Sequence, residues 1–236
     1  ARGSLFMWTA ADDQWLPMFV SALVNEIKSH PEANVAMSAI KRVQEDGSPL
    51  DCFRYVGKED PNKMSPFTLA SALVTGAPYH WYLYGLFRTN YLKDAFRRFP
   101  VVMAGDRLFV CQLALATRFR YVDEVLYIRT VHKTSIAERY ADEELGQMWR
   151  DKFARVKHIA AVGPYLMTSR IIPWHRKLFV PILVLKTAGR LYPWLRLNIF
   201  SFCRDAFLRA AYGFFLNLPS QFRSCIKRLL LRSSHY

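Results

Sequence analysis

The chain has 236 residues, 52% of them apolar, which suits one or two domains with ample core. Its four cysteines, Cys52, Cys111, Cys203 and Cys225, lack C-x-x-C spacing, which argues against a zinc site or a disulfide framework and for reduced thiols. The net charge of +14 is uneven: from Arg170 onward twelve Lys and Arg face the single acid Asp205, giving +11, so the first 169 residues carry +3. An asymmetry of this size points to an anionic partner for the C-terminal region.

Leu5 to Ala11 reads as a buried strand that stops at the adjacent carboxylates Asp12 and Asp13. Trp15-Leu16-Pro17 then turns into a helix over 17–29, with Phe19, Leu23 and Ile27 at helical spacing. His30-Pro31-Glu32-Ala33-Asn34 breaks it, residues 35–43 read as a strand, Glu45-Asp46-Gly47 as a turn and 51–65 as a polar loop. A short helix is predicted over 66–75, an aromatic strand over 81–88 and a short helix or loop over 91–99. A helix over 106–117 carries Leu108, Cys111 and Leu115 on one stripe, and a strand follows over 120–129. This alternation predicts an α/β layered domain over residues 1–136.

Residues 137–169 read as a charged helical connector with Leu145, Met148 and Phe153 as its apolar contacts. From 170 the chain is basic, aromatic and punctuated by proline, through Trp174, Phe179, Trp194, Phe200, Phe214 and Phe215. Its apolar runs fall short of the ~20 residues that cross a bilayer. The tail 170–236 is therefore expected to lie as basic amphipathic helices on an anionic membrane surface. Packing into an ordinary helical subdomain is the alternative. Nucleic acid is not the expected partner, since the tail lacks zinc-finger or RRM signatures and is too apolar for a nucleic-acid arm.

Carboxylates at the C-terminal end of a strand sit where open α/β sheets bind ligands, and their hard oxygens suit Mg2+ or Mn2+. Read locally, Asp12 and Asp13 serve equally well as caps for the following helix. Asp106, just after Gly105, is in the same position: a helix cap, or a carboxylate available as a base. His132 follows a strand and lies near Arg129 and Lys133, although loop histidines and exposed cations are usually just solvated. Trp81 and Tyr84 offer ring faces to a sugar, but an aromatic stripe is also what a core strand looks like. His80, His158 and His175 are too scattered for a metal site.

The segment Arg2-Gly3-Ser4-Leu5-Phe6 into Ala11-Asp12-Asp13-x-Trp15-x-Pro17 resembles the central segment of the family 2 glycosyltransferases, which have the GT-A fold. Tyr84-Gly85-Leu86-Phe87-Arg88-Thr89, with Leu92 after it, resembles that family's strand into the acceptor region. Ala104-Gly105-Asp106-Arg107-Leu108-Phe109 resembles the start of its base-bearing helix. The run from Tyr121 to Arg129 into Val131-His132-Lys133-Thr134-Ser135 resembles its closing strand and Arg-x-x-His element.

The resemblance spans residues 1 to about 136. It implies a partial GT-A, Rossmann-like mixed sheet with flanking helices. The activity implied is inverting transfer from a nucleotide-diphosphate sugar to a hydroxyl acceptor, which could be a glycan or lipid-linked. Asp106 would be the base; Asp12, Asp13, Arg129 and Lys133 would contact the donor; Asp13 and His132 would contact Mg2+ or Mn2+; Trp81 and Tyr84 would contact the acceptor. Two departures are visible: Ala10-Ala11-Asp12-Asp13 lacks the first carboxylate of the family's Asp-x-Asp-Asp, and Gly105-Asp106 stands for its Glu-Asp. The family's nucleotide-binding half would lie upstream of Ala1. The chain alone is thus expected to be a poor enzyme, and the alternative is a non-catalytic, transferase-like domain docking through its basic tail. Either way a cytoplasmic protein, peripheral at the inner face of the membrane, is expected.

Overall fold

The computed structural model describes residues 2–55, 59–134, 136–139 and 143–192. Residues Ala1–Leu191 form one compact unit. Of the basic tail, Trp194, Phe200, Phe214 and Phe215 lie outside the described residues.

The unit is mixed α/β. Six strands form one sheet: β1 (Leu5–Met7), β2 (Gln14–Trp15), β3 (Ala33–Gln44), β4 (Pro49–Phe53), β5 (Leu86–Arg88) and β6 (Arg118–Val131). Their order is β1-β5-β3-β6-β2, with β4 hydrogen-bonded to β3 beside this path. Only β3 and β6 run parallel; every other pair is antiparallel. The central strand β3 is buried almost continuously from Val35 to Ile40, as expected of a strand covered on both faces.

The long β3–β6 pair changes register three times, once between Ala33 and Val35 and twice in mid-strand. Ser38 pairs with Val122, but Ala39 pairs with Val125 and Ile40 with Tyr127. Asp123, Glu124 and Leu126 are thus extra residues on β6, and such bulges bend and twist a strand. The carbonyl of Leu126 turns away to accept the Leu16 amide at 2.9 Å, which brings β2 alongside the far half of β6. Arg54 closes over the bulge with 3.1 Å contacts to the carbonyl and carboxylate of Asp123.

Helices cover the sheet. On α1 (Phe19–Ser29), Phe19, Leu23 and Ile27 are the buried stripe that the spacing predicts, and the helix lies against β3, β5 and β6. α2 (Pro66–Thr75) has the bounds read from sequence. Ser65 Oγ accepts the Thr68 amide, Pro66 opens the first turn, and Gly76 ends the helix at φ 112°, where a side chain would be strained. α4 (Gly105–Ala116) is the central helix, buried from Leu108 to Leu115 and packed on α2.

Four expectations need correction. The buried strand expected from Leu5 to Ala11 stops at Met7 and is only half-buried, so Asp12 and Asp13 stand just before β2 instead of at that strand's end. The polar stretch after the Glu45-Asp46-Gly47 turn contains a strand, β4, where a loop was expected. The aromatic strand expected over 81–88 is a 3-10 helix, Pro78–Tyr84, followed by the three-residue β5 and then α3 (Thr89–Phe96). The connector is not one helix but α5 (Ile136–Arg139), α6 (Glu144–Arg150) and α7 (Ala154–Met167). Its Phe153 is 55% exposed rather than packed, and the side chain of Leu145 is outside the described residues. After α8 (Trp174–Lys177), α9 (Val180–Leu191) packs on α7 and α2, which joins this region to the α/β unit. Among the described residues no helix is long and apolar enough to cross a membrane.

Candidate functional site

Parallel pairing puts the C-terminal ends of β3 and β6 at the same edge of the sheet. There Gln44 pairs with Val131, so the next residues, Glu45 and His132, emerge side by side. On the other side of β6, antiparallel β2 pairs Gln14 with Ile128, which brings the preceding Asp13 and Asp12 beside Arg129 and Thr130. Sheet register alone therefore gathers four of the residues singled out from sequence: Asp12, Asp13, Arg129 and His132.

Side-chain bonds then fix the loop. Asp13 Oδ1 accepts the Thr130 amide at 3.0 Å and Oδ2 accepts the hydroxyl of the buried Tyr127. Thr130 Oγ1 donates to the Asp12 carbonyl at 2.6 Å. His132 bridges two carboxylates: Nε2 to Asp12 and Nδ1 to Glu45 at 2.6 Å. With a carboxylate on each nitrogen the ring is held as imidazolium, so its pKa is raised above 6.5 by the bonds to Asp12 and Glu45. The bond from His132 in turn lowers the Asp12 pKa below 3.8, and Arg139 adds a guanidinium 4.0 Å away.

Tyr84 packs beside this loop. Its ring stacks on Tyr127 with centroids 6.0 Å apart, and the Arg129 guanidinium lies 6.0 Å from its centroid. Burial raises the Tyr84 pKa, Arg129 opposes this, and the negative charges of Asp13, Asp106 and Asp12 add to it. Asp106 stands in the first turn of α4, whose entry is constrained: Ala104 adopts φ 54°, and a Cβ on Gly105 would stand 2.1 Å from the Pro100 carbonyl oxygen. Behind Asp106, His158 donates Nδ1–H to the Met103 carbonyl at 2.7 Å, and burial lowers its pKa below 6.5.

Trp81 does not fit the acceptor-stacking expectation. It is 6% exposed, packed edge-on to Phe53 at 4.6 Å, with Arg129 and Arg42 within 5.6 and 5.9 Å of its ring. Burial in the core leaves it no open face for a sugar, whereas Tyr84 is only half-buried. Lys133 is exposed just beyond His132.

Compared with known proteins, the chain matches no protein-family model, and no curated protein is significantly similar to it.

The side chains can also be weighed as ligands for a divalent cation. Among the described residues no group of three or more His, Cys, Asp and Glu side chains could hold a metal ion. His132 presents N–H to carboxylates on both sides, which fits a proton carrier better than a ligand. Asp12 and Asp13 keep unused lone pairs, and Mg2+ commonly takes one or two carboxylates with phosphate and water completing the shell. Those two residues fit such an ion in company with a phosphate ligand. Glu45, Tyr127, Thr130 and Arg139 were not singled out from sequence. Their only signal was register, which places Glu45 and Thr130 at the strand ends beside residues that were.

Proposed function

We propose that the chain is the acceptor-side region of an inverting glycosyltransferase with a GT-A arrangement, using a nucleotide-diphosphate sugar and a hydroxyl acceptor, glycan or lipid-linked. The observation that carries the reading is the strand register that brings Asp12, Asp13, Arg129 and His132 together at one sheet edge, because these are residues that the resemblance assigns to donor and metal.

In this reading the acceptor oxygen attacks the anomeric carbon while the bond to the diphosphate breaks and its electron pair leaves with the diphosphate. Asp106 takes the acceptor proton, a role that needs a carboxylate within hydrogen-bond reach of that hydroxyl. Asp12 and Asp13 would hold Mg2+ or Mn2+, which when bound supplies positive charge for the departing diphosphate. Arg129 and Lys133 add cationic charge on the same side. His132, held as imidazolium by Asp12 and Glu45, adds another positive charge beside the diphosphate and is not placed as a metal ligand. Tyr84 is the remaining candidate for sugar contact.

The test uses the full-length protein. Removing a general base lowers kcat by roughly 10²–10⁴-fold and leaves ground-state binding nearly intact, which is the result expected for Asp106→Asn. Asp13→Ala should instead weaken donor and Mn2+ binding together. Full transfer by Asp106→Asn would remove it from the role of base.

A second reading, a non-catalytic domain that docks on an anionic membrane, has its own observation. Trp174 is 77% and Leu178 69% exposed, one helical turn apart, in a described stretch 168–192 that has Arg170, Arg176, Lys177, Lys186 and Arg190 and no acid. Apolar insertion beside cations is the chemistry of interfacial anchoring. Flotation with acidic vesicles that is lost in high salt and in Trp174→Ala/Leu178→Ala would support it. Equal recovery with neutral vesicles, or none, would oppose it.

A further inference from the structure

Helix α7 carries a buried polar group that the proposed chemistry does not use. The buried residues of α7 are Ala154, His158, Val162 and Leu166, on one side of the helix at four-residue spacing. The other three are apolar, so an apolar side chain would suit the second position too, yet it is a histidine 7% exposed. Burying an imidazole costs free energy unless its polar atoms are bonded. His158 Nδ1 lies 2.7 Å from the Met103 carbonyl oxygen, and since a carbonyl only accepts, the ring donates. Burial favours the neutral ring; Arg190 of α9 and Arg107 of α4 act in the same direction, against the Met103 carbonyl and Asp106.

The carbonyl that accepts this bond sits at the turn that leads into Asp106. Met103 is followed by Ala104, in the left-handed region at φ 54°, and by Gly105, pressed under the Pro100 carbonyl. A left-handed alanine is strained, and such strain persists only where the surroundings over-determine it. Inside the turn, the Gly105 amide donates to the Val102 carbonyl at 2.9 Å and the Leu108 amide to the Ala104 carbonyl at 3.3 Å. From outside, among the described residues, His158 is the one side chain that hydrogen-bonds to the backbone from 97 to 104.

Beyond Asp106 the helix is fastened to a different element. Arg107 Nη1 donates to the Leu73 and Ala77 carbonyls, each at 3.0 Å, at the C-terminal end of α2, where helix carbonyls lack partners of their own. Two bonds to separate helices therefore bracket Asp106. Arg107 ties α4 to α2 on one side of it, and His158 ties the preceding turn to α7 on the other.

We propose that His158 is a positioning residue for Asp106: through the Met103 carbonyl it holds the Val102–Gly105 turn in the left-handed conformation that presents Asp106 at the start of α4. The functional part of this inference rests on the reading of Asp106 as the base. Without the Nδ1–H donor the Met103 carbonyl loses its partner and the turn its outside support, while Arg107 keeps the rest of α4 on α2. The loss is thus confined to the approach to Asp106 and leaves the body of the helix in place.

The test is amide hydrogen exchange, read by nuclear magnetic resonance on the full-length protein. His158→Leu fills the space without a donor, and His158→Asn offers an amide N–H close to the place of Nδ1. Exchange at Gly105 and Leu108 is expected to be about threefold to tenfold faster in His158→Leu, the loss of one hydrogen bond, and within about twofold of the parent in His158→Asn. Exchange at Leu113, deeper in α4, should not change. His158→Gln, whose donor lies one methylene further out, should match His158→Leu and takes its place if the leucine variant does not fold. Unchanged exchange at Gly105, equal acceleration at Leu113, or no recovery in His158→Asn overturns the proposal. Broadening by Mn2+ with uridine diphosphate or guanosine diphosphate then reads where Asp106 stands against the Asp13 loop. His158→Leu should alter the broadening at Asp106 and leave that at Thr130 as in the parent; equal broadening at Asp106 in both proteins overturns the positioning role. No broadening anywhere in the parent removes the transferase reading instead, and exchange at Gly105 still decides whether His158 holds the turn.

Discussion

Asp13 and Asp106 are held in place by different means. Asp13 belongs to a loop fixed by polar bonds, from Tyr127 and Thr130, with Asp12 tied to His132 next to it. Asp106 is placed by its backbone: Ala104 in the left-handed region and Gly105 under the Pro100 carbonyl set the start of α4. Among the described residues its carboxylate accepts no hydrogen bond. The difference teaches how each side can meet a ligand. Polar bonds can be exchanged for bonds to a ligand, whereas the position of Asp106 follows from backbone sterics and does not depend on bonds to its carboxylate.

The largest expected effect breaks the steric side. Gly105→Ala puts a Cβ 2.1 Å from a backbone oxygen, so the loop or helix must move. Overpacking of this kind costs about 3 kcal/mol, which urea denaturation would read as a lower midpoint. A stability within a few tenths of a kcal/mol of the parent, on the same scale, would mean that the Pro100–Gly105 contact does not constrain Asp106. On the polar side, Tyr127→Phe removes one donor to a carboxylate and should cost about 1.5 kcal/mol, also by denaturation. An unchanged midpoint would show that Asp13 is not held from that side.

Much of the fold was legible, and the reason shows in particular elements. α2 kept its bounds because Ser65, Pro66 and Gly76 are local signals that need no tertiary context. α1 followed from Phe19, Leu23 and Ile27. β4 was missed because Leu50, Asp51 and Cys52 are exposed on a strand bonded to β3 alone, so no alternation of buried residues marks it. Aromatic residues from Tyr79 to Tyr84 suit a strand by composition. They form a 3-10 helix instead, followed by Gly85 pressed so close to the Ala36 carbonyl that a Cβ would stand 2.2 Å from it. For the site, the carboxylates and His132 were visible as residue types, but Glu45, Tyr127 and Thr130 were not. Their placement depends on the register change at Asp123, Glu124 and Leu126, which no local spacing reveals.

Smaller effects sharpen the same contrast. Ala104→Gly should stabilise the protein by about 0.5–1 kcal/mol, because glycine takes φ 54° without the penalty of a Cβ. Differential scanning calorimetry would show a higher Tm, and a lower one would mean the left-handed turn is not strained.

The pH dependence separates the two histidines. His132 has a raised pKa, so its contribution is complete below 6.5 and fades as pH rises through the raised value. At the acid end it fades only as pH falls through the lowered pKa of Asp12. The stability difference between the parent and His132→Gln should thus be largest between pH 3.8 and 6.5 and vanish in alkali. Because Asp12 is 42% exposed at its side chain, about 0.2–1 kcal/mol is the expected size. His158, lowered by burial, acts in the opposite direction: it stays neutral in the fold, so the protein loses stability as pH falls below 6.5. His158→Gln should flatten that acid limb in pH-dependent denaturation, whereas His132→Gln should not.

The central claim is that the Asp12–Asp13 loop and Asp106 face a single ligand. It is tested most directly by Mn2+ relaxation in nuclear magnetic resonance, with uridine diphosphate and guanosine diphosphate as probes on the full-length protein. Mn2+ with one of these nucleotides is expected to broaden the signals of Asp13, Tyr84, Asp106 and Thr130 together, and Asp13→Ala to abolish the broadening at all four. Broadening at Asp13 and Thr130 that leaves Asp106 and Tyr84 sharp, or that survives Asp13→Ala, would contradict it.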